Sequence, residues 1–359
     1  MVIDLQTSSS FKVLTLQEKD LWNRYLDEAC ESDFYHTWEY HALDKQGEAF
    51  MFVYEREDLF IGVPLIKRPI PGTTYYDCTS VYGYVGPFSN QDFPAIPDSV
   101  KQDFHLVFRN YLQSQKIVTV FAVLHPLYKQ QSLLANGFTA LDNSSCELRP
   151  VGKTIAIDLK QSLDEQRLQY RRPIRMKINQ LRKKGFSVKV AESEEELHEF
   201  IDLYVENMVK VNASEKYFFE PAYFENFMLS TSFSPRLLVA YYEGRMVAGA
   251  MIGMTKQVVQ LHLAGTRNEF LRESPMKLIF DEASLIGRAN NMQYLHLGSG
   301  VGGAEDSLFH FKRGFSEQVF DFVTWRYIVD YSVYVNLVDE KTKGKTMPDV
   351  DLFPLYRFV

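Results

Sequence analysis

Apolar and polar positions follow a pattern that occurs twice along the chain. Residues 49–68 read AFMFVYEREDLFIGVPLIKR, and residues 236–256 read RLLVAYYEGRMVAGAMIGMTK. Each is an apolar strand, a short polar turn and a second strand that opens with a glycine. The turns are Glu55-Arg56-Glu57-Asp58 and Glu243-Gly244-Arg245. Polar turns between two β-rich runs predict antiparallel hairpins. A second pair follows at a similar distance: residues 116–138, KIVTVFAVLHPLYKQQSLLANGF, and residues 292–315, MQYLHLGSGVGGAEDSLFHFKRGF. Each predicts a strand, a loop, a short helix and a terminal Gly-Phe. Gly137 and Gly314 stand where a helix C-terminus needs a residue that tolerates positive φ.

Between hairpin and strand, each half carries one more helical stretch, 99–115 and 275–290. In the second, Met276, Ile279, Phe280, Ala283 and Ile286 recur at helical spacing and make an apolar face. The order strand–strand–strand–helix–strand–helix–strand therefore appears twice. It predicts an α/β (α+β) chain of two tandem domains, 1–150 and 151–359, each a mixed, mostly antiparallel sheet with helices packed on it. Gly62 and Gly249 are expected in equivalent strands.

Composition adds constraints. The chain has 359 residues, a length that suits two cores better than one. Its net charge of −7 means that attraction to nucleic acid or anionic lipid needs a local patch. Cys30, Cys78 and Cys146 are odd in number and widely spaced, so reduced thiols in a cytoplasmic protein are expected, with no zinc or other metal site. The first residues carry no signal-peptide pattern, and no apolar run approaches the ~20 residues that span a bilayer. The 21 Tyr and 27 Phe either fill a large core or wall a cleft for an extended substrate.

Four stretches carry a family resemblance. They are Phe34-Tyr35-His36-Thr37-Trp38-Glu39-Tyr40; Tyr82-Gly83-Tyr84-Val85-Gly86-Pro87; Tyr170-Arg171-Arg172-Pro173-Ile174-Arg175-Met176-Lys177; and Leu297-Gly298-Ser299-Gly300 with Asp306-Ser307-Leu308-Phe309 and Phe311-Lys312-Arg313-Gly314-Phe315. In this order they resemble the Fem family of peptidoglycan aminoacyltransferases and its FemAB-like relatives, whose two domains have the GNAT acyltransferase fold. The resemblance implies acyl or aminoacyl transfer to an amine of a cell-wall or surface-glycan precursor. The acceptor side falls to the first domain and the donor side to the second. The donor is aminoacyl-tRNA or acyl-CoA, with no tightly bound cofactor. Partners are then a small-molecule or glycan-precursor acceptor and tRNA, with no DNA, and membrane contact at most peripheral through a lipid-linked substrate. Ordinary acetyl-CoA enzymes of this fold carry a Q/RxxGxG/A loop whose backbone N–H groups bind pyrophosphate. Here the corresponding residues 265–275, GTRNEFLRESP, lack that glycine pattern.

The chemistry needs stabilisation of a tetrahedral oxyanion and a proton acceptor for the amine. The resemblance puts Lys312, with Phe311, at the donor end as the cation for that oxyanion or for a donor phosphate. Read alone, Lys312 is an exposed lysine at a helix end, where the dipole favours cations. His262 lies in the strand 257–265, where alternation places Val258, Gln260, His262 and Ala264 on one face. It reads as a proton acceptor or as a core histidine. The loop Gly298-Ser299-Gly300 offers backbone donors to an anion or is merely flexible, and His310 stands four before the glycine of Gly-Phe. Arg171, Arg172 and Arg175 head a basic run, 167–184, that binds phosphate or forms a solvated helix face. Trp38, Asp77, Tyr82 and Tyr84 are candidates for the acceptor side or for packing. Two other readings stay open: a CoA-dependent N-acyltransferase, and a binding protein with a decayed site.

Overall fold

The computed structural model describes residues 9–135, 143–343 and 351–357. These form two compact units: residues 1–151 with 322–359, and residues 152–321. The strands in chain order are β1 Ser10–Thr15, β2 Glu48–Arg56, β3 Leu59–Pro69, β4 Tyr76–Thr79, β5 Phe88–Ser89 and β6 Ile117–Val123. They continue with β7 Ser145–Asp158, β8 Ser187–Val190, β9 Ser234–Tyr242, β10 Arg245–Thr255, β11 Val258–Thr266, β12 Tyr294–Gly298 and β13 Val319–Ile328.

In the first unit, neighbouring strands run β1-β2-β3-β4-β6-β13, with β5 beside β3. All pairs are antiparallel except β4 with β6. In the second the order is β7-β12-β11-β10-β9-β8, and here only β11 with β12 is parallel. Each unit is thus a mixed, mostly antiparallel sheet with helices on it, as the repeated pattern predicts. Helix Asp98–Ser114 buries Phe104, Phe108 and Leu112 in the first core; helix Met276–Ala289 buries Leu278, Ile279, Phe280 and Ala283 in the second. The Gly137-Phe138 end and the stretch around Leu141 lie outside the described residues.

The hairpins match in detail. β2 and β3 are joined by Glu57-Asp58, and β9 and β10 by Glu243-Gly244, with Glu57, Glu243 and Gly244 at positive φ. Two-residue turns of this kind match the strand twist. Gly62 faces Val53 across β3 and β2, and Gly249 faces Val239 across β10 and β9. Gly249 lies one residue further from its turn because β10 is bulged between Met246 and Ala248. Both glycines make room for a ring: a Cβ on Gly62 would stand 2.6 Å from Phe88, and one on Gly249 2.5 Å from Phe200.

The chain from Phe322 onward, read in sequence with the second domain, groups with the first unit. The reason is pairing and burial. Thr324–Ile328 of β13 runs antiparallel to β6 over Thr119–Val123. Beyond it, Tyr356 hydrogen-bonds Thr119 through its hydroxyl at 2.8 Å, and Arg357 reaches Asp77 at 2.7 Å. Among the described residues, no helix is long and apolar enough to cross a membrane.

Candidate active site

The second unit contains a place where its sheet opens. β11 and β12 pair on three rungs only, Val258 with Tyr294, Val259 with Leu295 and Gln260 with His296. Beyond them β11 continues to Thr266 along β10, while β12 ends at Gly298 in the loop 298–306. That loop leads to the helix Ser307–Lys312. Asp306 organises both. Its carboxylate caps the helix by accepting the Phe309 N–H at 2.9 Å, and accepts the Val301 N–H at 3.1 Å. Gly300 is required by close approach, since a Cβ there would stand 2.1 Å from the Ala304 carbonyl oxygen.

Lys312 is buried, not exposed as the linear reading expected, with 8% of its surface accessible. The helix turns Phe309 into the core, and a residue three further on shares that inward face. The ammonium donates to the Ser299 carbonyl at 2.6 Å. Burial pulls its pKa down to about 8, opposed by the charge of Asp306. The Ser299 hydroxyl beside it is buried and makes no hydrogen bond among the described residues. Phe311 packs on Phe280 and Phe315, with ring centroids 5.6 and 5.7 Å away, and the Lys277 ammonium lies 5.7 Å from its own. His310 is exposed, its ring 5.7 Å from Phe309.

His262 sits at a bulge. Leu261 pairs with Ile252 and Leu263 with Met251, so His262 is an extra residue on β11, and the expected alternation with Ala264 breaks there. Its ring stacks on Phe227 at 5.0 Å, and Nε2 is 2.7 Å from the Tyr223 hydroxyl. Desolvation lowers its pKa to about 3, so the ring is neutral at physiological pH and a weak proton acceptor.

Much of the basic run is already neutralised. Arg167 and Arg182 both grip the buried Asp281, at 2.8 and 2.7 Å, and Lys177 and Lys184 share Glu273. Arg175 donates to the Leu168 carbonyl at 2.8 Å. Arg171 and Arg172 are exposed, and neither has an anionic partner among the described residues.

The acceptor-side candidates are not one cluster. Asp77 is fully buried and held by Arg68 and Arg357 at 2.9 and 2.7 Å, so its carboxylate is occupied. Trp38 donates to the Leu16 carbonyl at 3.0 Å and lies under the Lys19 ammonium, 4.8 Å from the ring. Tyr82 is exposed, and its carbonyl accepts the Tyr40 hydroxyl at 2.8 Å. Tyr84 is half-buried among the rings of Tyr35, His125 and Phe322, at 6.2, 6.2 and 5.7 Å.

Asp306 stands in a stretch that carries the resemblance, but neither its capping role nor the pair Gln260–His296 was read from the sequence. An aspartate before a short helix was a visible capping signal for the first. The second depends on which strands become neighbours, and no local signal encodes that.

Residues 169–313 match the acetyltransferase (GNAT) domain family. No curated protein matches the chain at significant similarity. Among solved structures, FemX superimposes with a TM-score of 0.70 at 14% identity, over 91% of this chain and 99% of its own. L-PGS from Bacillus licheniformis gives 0.56 at 15% identity, over 89% and 94%. A tandem GNAT protein from the clavulanic acid biosynthesis pathway gives 0.52 at 10% identity, over 90% and 99%. Residues 169–313 therefore resemble a GNAT domain in sequence, and the chain as a whole shares its fold with FemX and with a tandem GNAT protein.

Proposed function

We propose that the chain transfers an acyl or aminoacyl group to the amine of a cell-wall or surface-glycan precursor, with the donor bound in the second unit. The observation that carries this reading is Lys312, a buried ammonium held on the Ser299 carbonyl beside the opening between β11 and β12. Attack of an amine on the donor carbonyl develops negative charge on its oxygen. A cation already removed from water stabilises that charge strongly and needs no reorganisation at the moment of reaction. With a pKa of about 8 it is still mainly cationic at pH 7. His262, neutral and bonded to Tyr223, suits a wall of the site better than a base.

The donor in this reading is aminoacyl-tRNA. A CoA pyrophosphate would need free amides at the start of helix Met276–Ala289. The Lys277, Leu278 and Ile279 amides already donate to the carbonyls of Ser274 and Pro275. Arg171 and Arg172 are exposed cations available to a phosphate backbone. An acyl-CoA donor is the second reading, favoured by the acetyltransferase family match over residues 169–313.

The test is a mass-spectrometric transfer assay. Alanyl-tRNA or acetyl-CoA is offered as donor and a UDP-linked muropeptide as acceptor, with Lys312→Met as control. The reading expects an acylated muropeptide with the wild-type chain and alanyl-tRNA, lost with Lys312→Met. Transfer from acetyl-CoA alone selects the second reading. No transfer from either donor overturns both.

A further inference from the structure

His296 stands where the backbone pairing of β12 ends on one edge and changes register on the other. Toward β11 it occupies the last paired rung, opposite Gln260. Toward β7 the register shifts immediately after it, between His296 and Gly298. Three residues later comes Ser299, whose carbonyl anchors the Lys312 ammonium. The strand has thus left β11, and keeps β7 only through Gly298 opposite Ile155, just before it must place a carbonyl for a buried cation.

A side-chain bond stands at that point. His296 Nδ1 and Gln260 Oε1 are 2.8 Å apart, with 0% and 1% of the two residues exposed. A carboxamide oxygen only accepts, so the ring proton sits on Nδ1 and Nε2 carries the lone pair. The neighbours Val259, Leu295 and Leu297 belong to the core under helix Met276–Ala289. By strand alternation, Gln260 and His296 therefore project from the other face of the sheet. His262, whose ring contacts Tyr223 and Phe227 of helix Pro221–Met228, stands on that same face.

We infer that Gln260 and His296 are a positioning pair for the transfer step: their hydrogen bond holds β12 to β11 where pairing ends, and so sets the place of Ser299 and Lys312. Neither residue touches substrate in this role. A buried hydrogen bond inside a low-dielectric sheet is costly to break one-sidedly, which makes the pair a stiff tie. Small displacements of a charge-stabilising group reduce turnover far more than binding. The inference rests on the acyl-transfer reading for its kinetic consequence but not for its geometry.

Two measurements test it. On the wild-type chain labelled with [15N]histidine, the His296 ring, assigned by its loss in His296→Leu, is expected as the Nδ1–H tautomer. An Nε2–H tautomer overturns the pair. In the transfer assay, Gln260→Met keeps the side-chain volume and removes the acceptor, while Gln260→Glu restores an acceptor oxygen. The expected result is a kcat lowered ~10- to 100-fold in Gln260→Met with KM for the acceptor within about twofold, and recovery in Gln260→Glu. A folded Gln260→Met with wild-type kcat overturns the inference, and so does equal loss in both variants. If Gln260→Met does not fold, the tautomer measurement decides. If the wild-type chain transfers nothing, the acyl-transfer reading fails by itself while the tautomer still decides the pair.

Discussion

Arg357 closes on Asp77 with two nitrogens, at 2.7 and 3.0 Å, joining positions 280 residues apart in the chain. Asp77 has no accessible surface, and Arg68 holds it from the other side at 2.9 Å. The end of the described chain is therefore part of the first unit's buried electrostatics. Arg357→Ala leaves a buried carboxylate with one cation instead of two and is expected to cost about 3 kcal/mol, the scale for breaking a buried pair. Asp77→Asn added to it should recover part of that loss, because the uncompensated charge is gone. Denaturant melts of the single and double variants check this, and additive losses would refute it.

Lys312 links stability and activity through one proton. Its folded pKa of about 8 lies below the ordinary 10.5, so between those values the unfolded chain binds more protons than the folded one. Stability then rises with pH across that window, and the burial penalty is fully present below it. Lys312→Met removes the penalty along with the charge, and its melting temperature should not fall. The oxyanion role makes the opposite demand on activity. Turnover should decline as pH rises through about 8, and Lys312→Met should lose about 10²–10³ in rate at pH 7. Activity that instead climbs through that midpoint would mark Lys312 as a base.

The paired glycines give a packing prediction. Gly62→Ala drives a methyl group into Phe88, and Gly249→Ala drives one into Phe200. Each should cost about 1–3 kcal/mol through overpacking. Phe88→Leu added to Gly62→Ala should relieve the first. If neither alanine lowers the melting temperature, the close approach of ring to backbone is not a constraint.

The basic run separates into two classes by its partners. Arg171→Glu with Arg172→Glu should leave melting unchanged, since neither side chain has an anionic partner among the described residues. The same pair should weaken binding of tRNA and flatten its dependence on salt. Arg182→Ala should do the reverse, because it strips one of the two guanidinium groups from the buried Asp281. Melting curves and tRNA titrations at two salt concentrations check both halves.

Short-range signals along the chain carry the local and repeated part of this protein. Polar turns between paired strands, and Gly62 and Gly249 in equivalent strands, follow from short-range rules, and the repeat doubled each signal. The Phe311-Lys312 motif pointed to the short helix Ser307–Lys312 in the same local way. Tertiary structure decided the environment of each side chain. Lys312 read as exposed because a helix end is normally solvated; it is buried because Phe309, three residues earlier, turns that face inward. Asp77 read as free to bind an amine, yet its partner Arg357 comes from the far end of the chain. The charge patch at 167–184 looked uniform until Asp281 and Glu273, about a hundred residues on, claimed four of its cations. Gln260 and His296 became a pair only when two parallel strands were laid side by side. Burial and charge pairing are set by neighbours distant in sequence, and no local pattern encodes them.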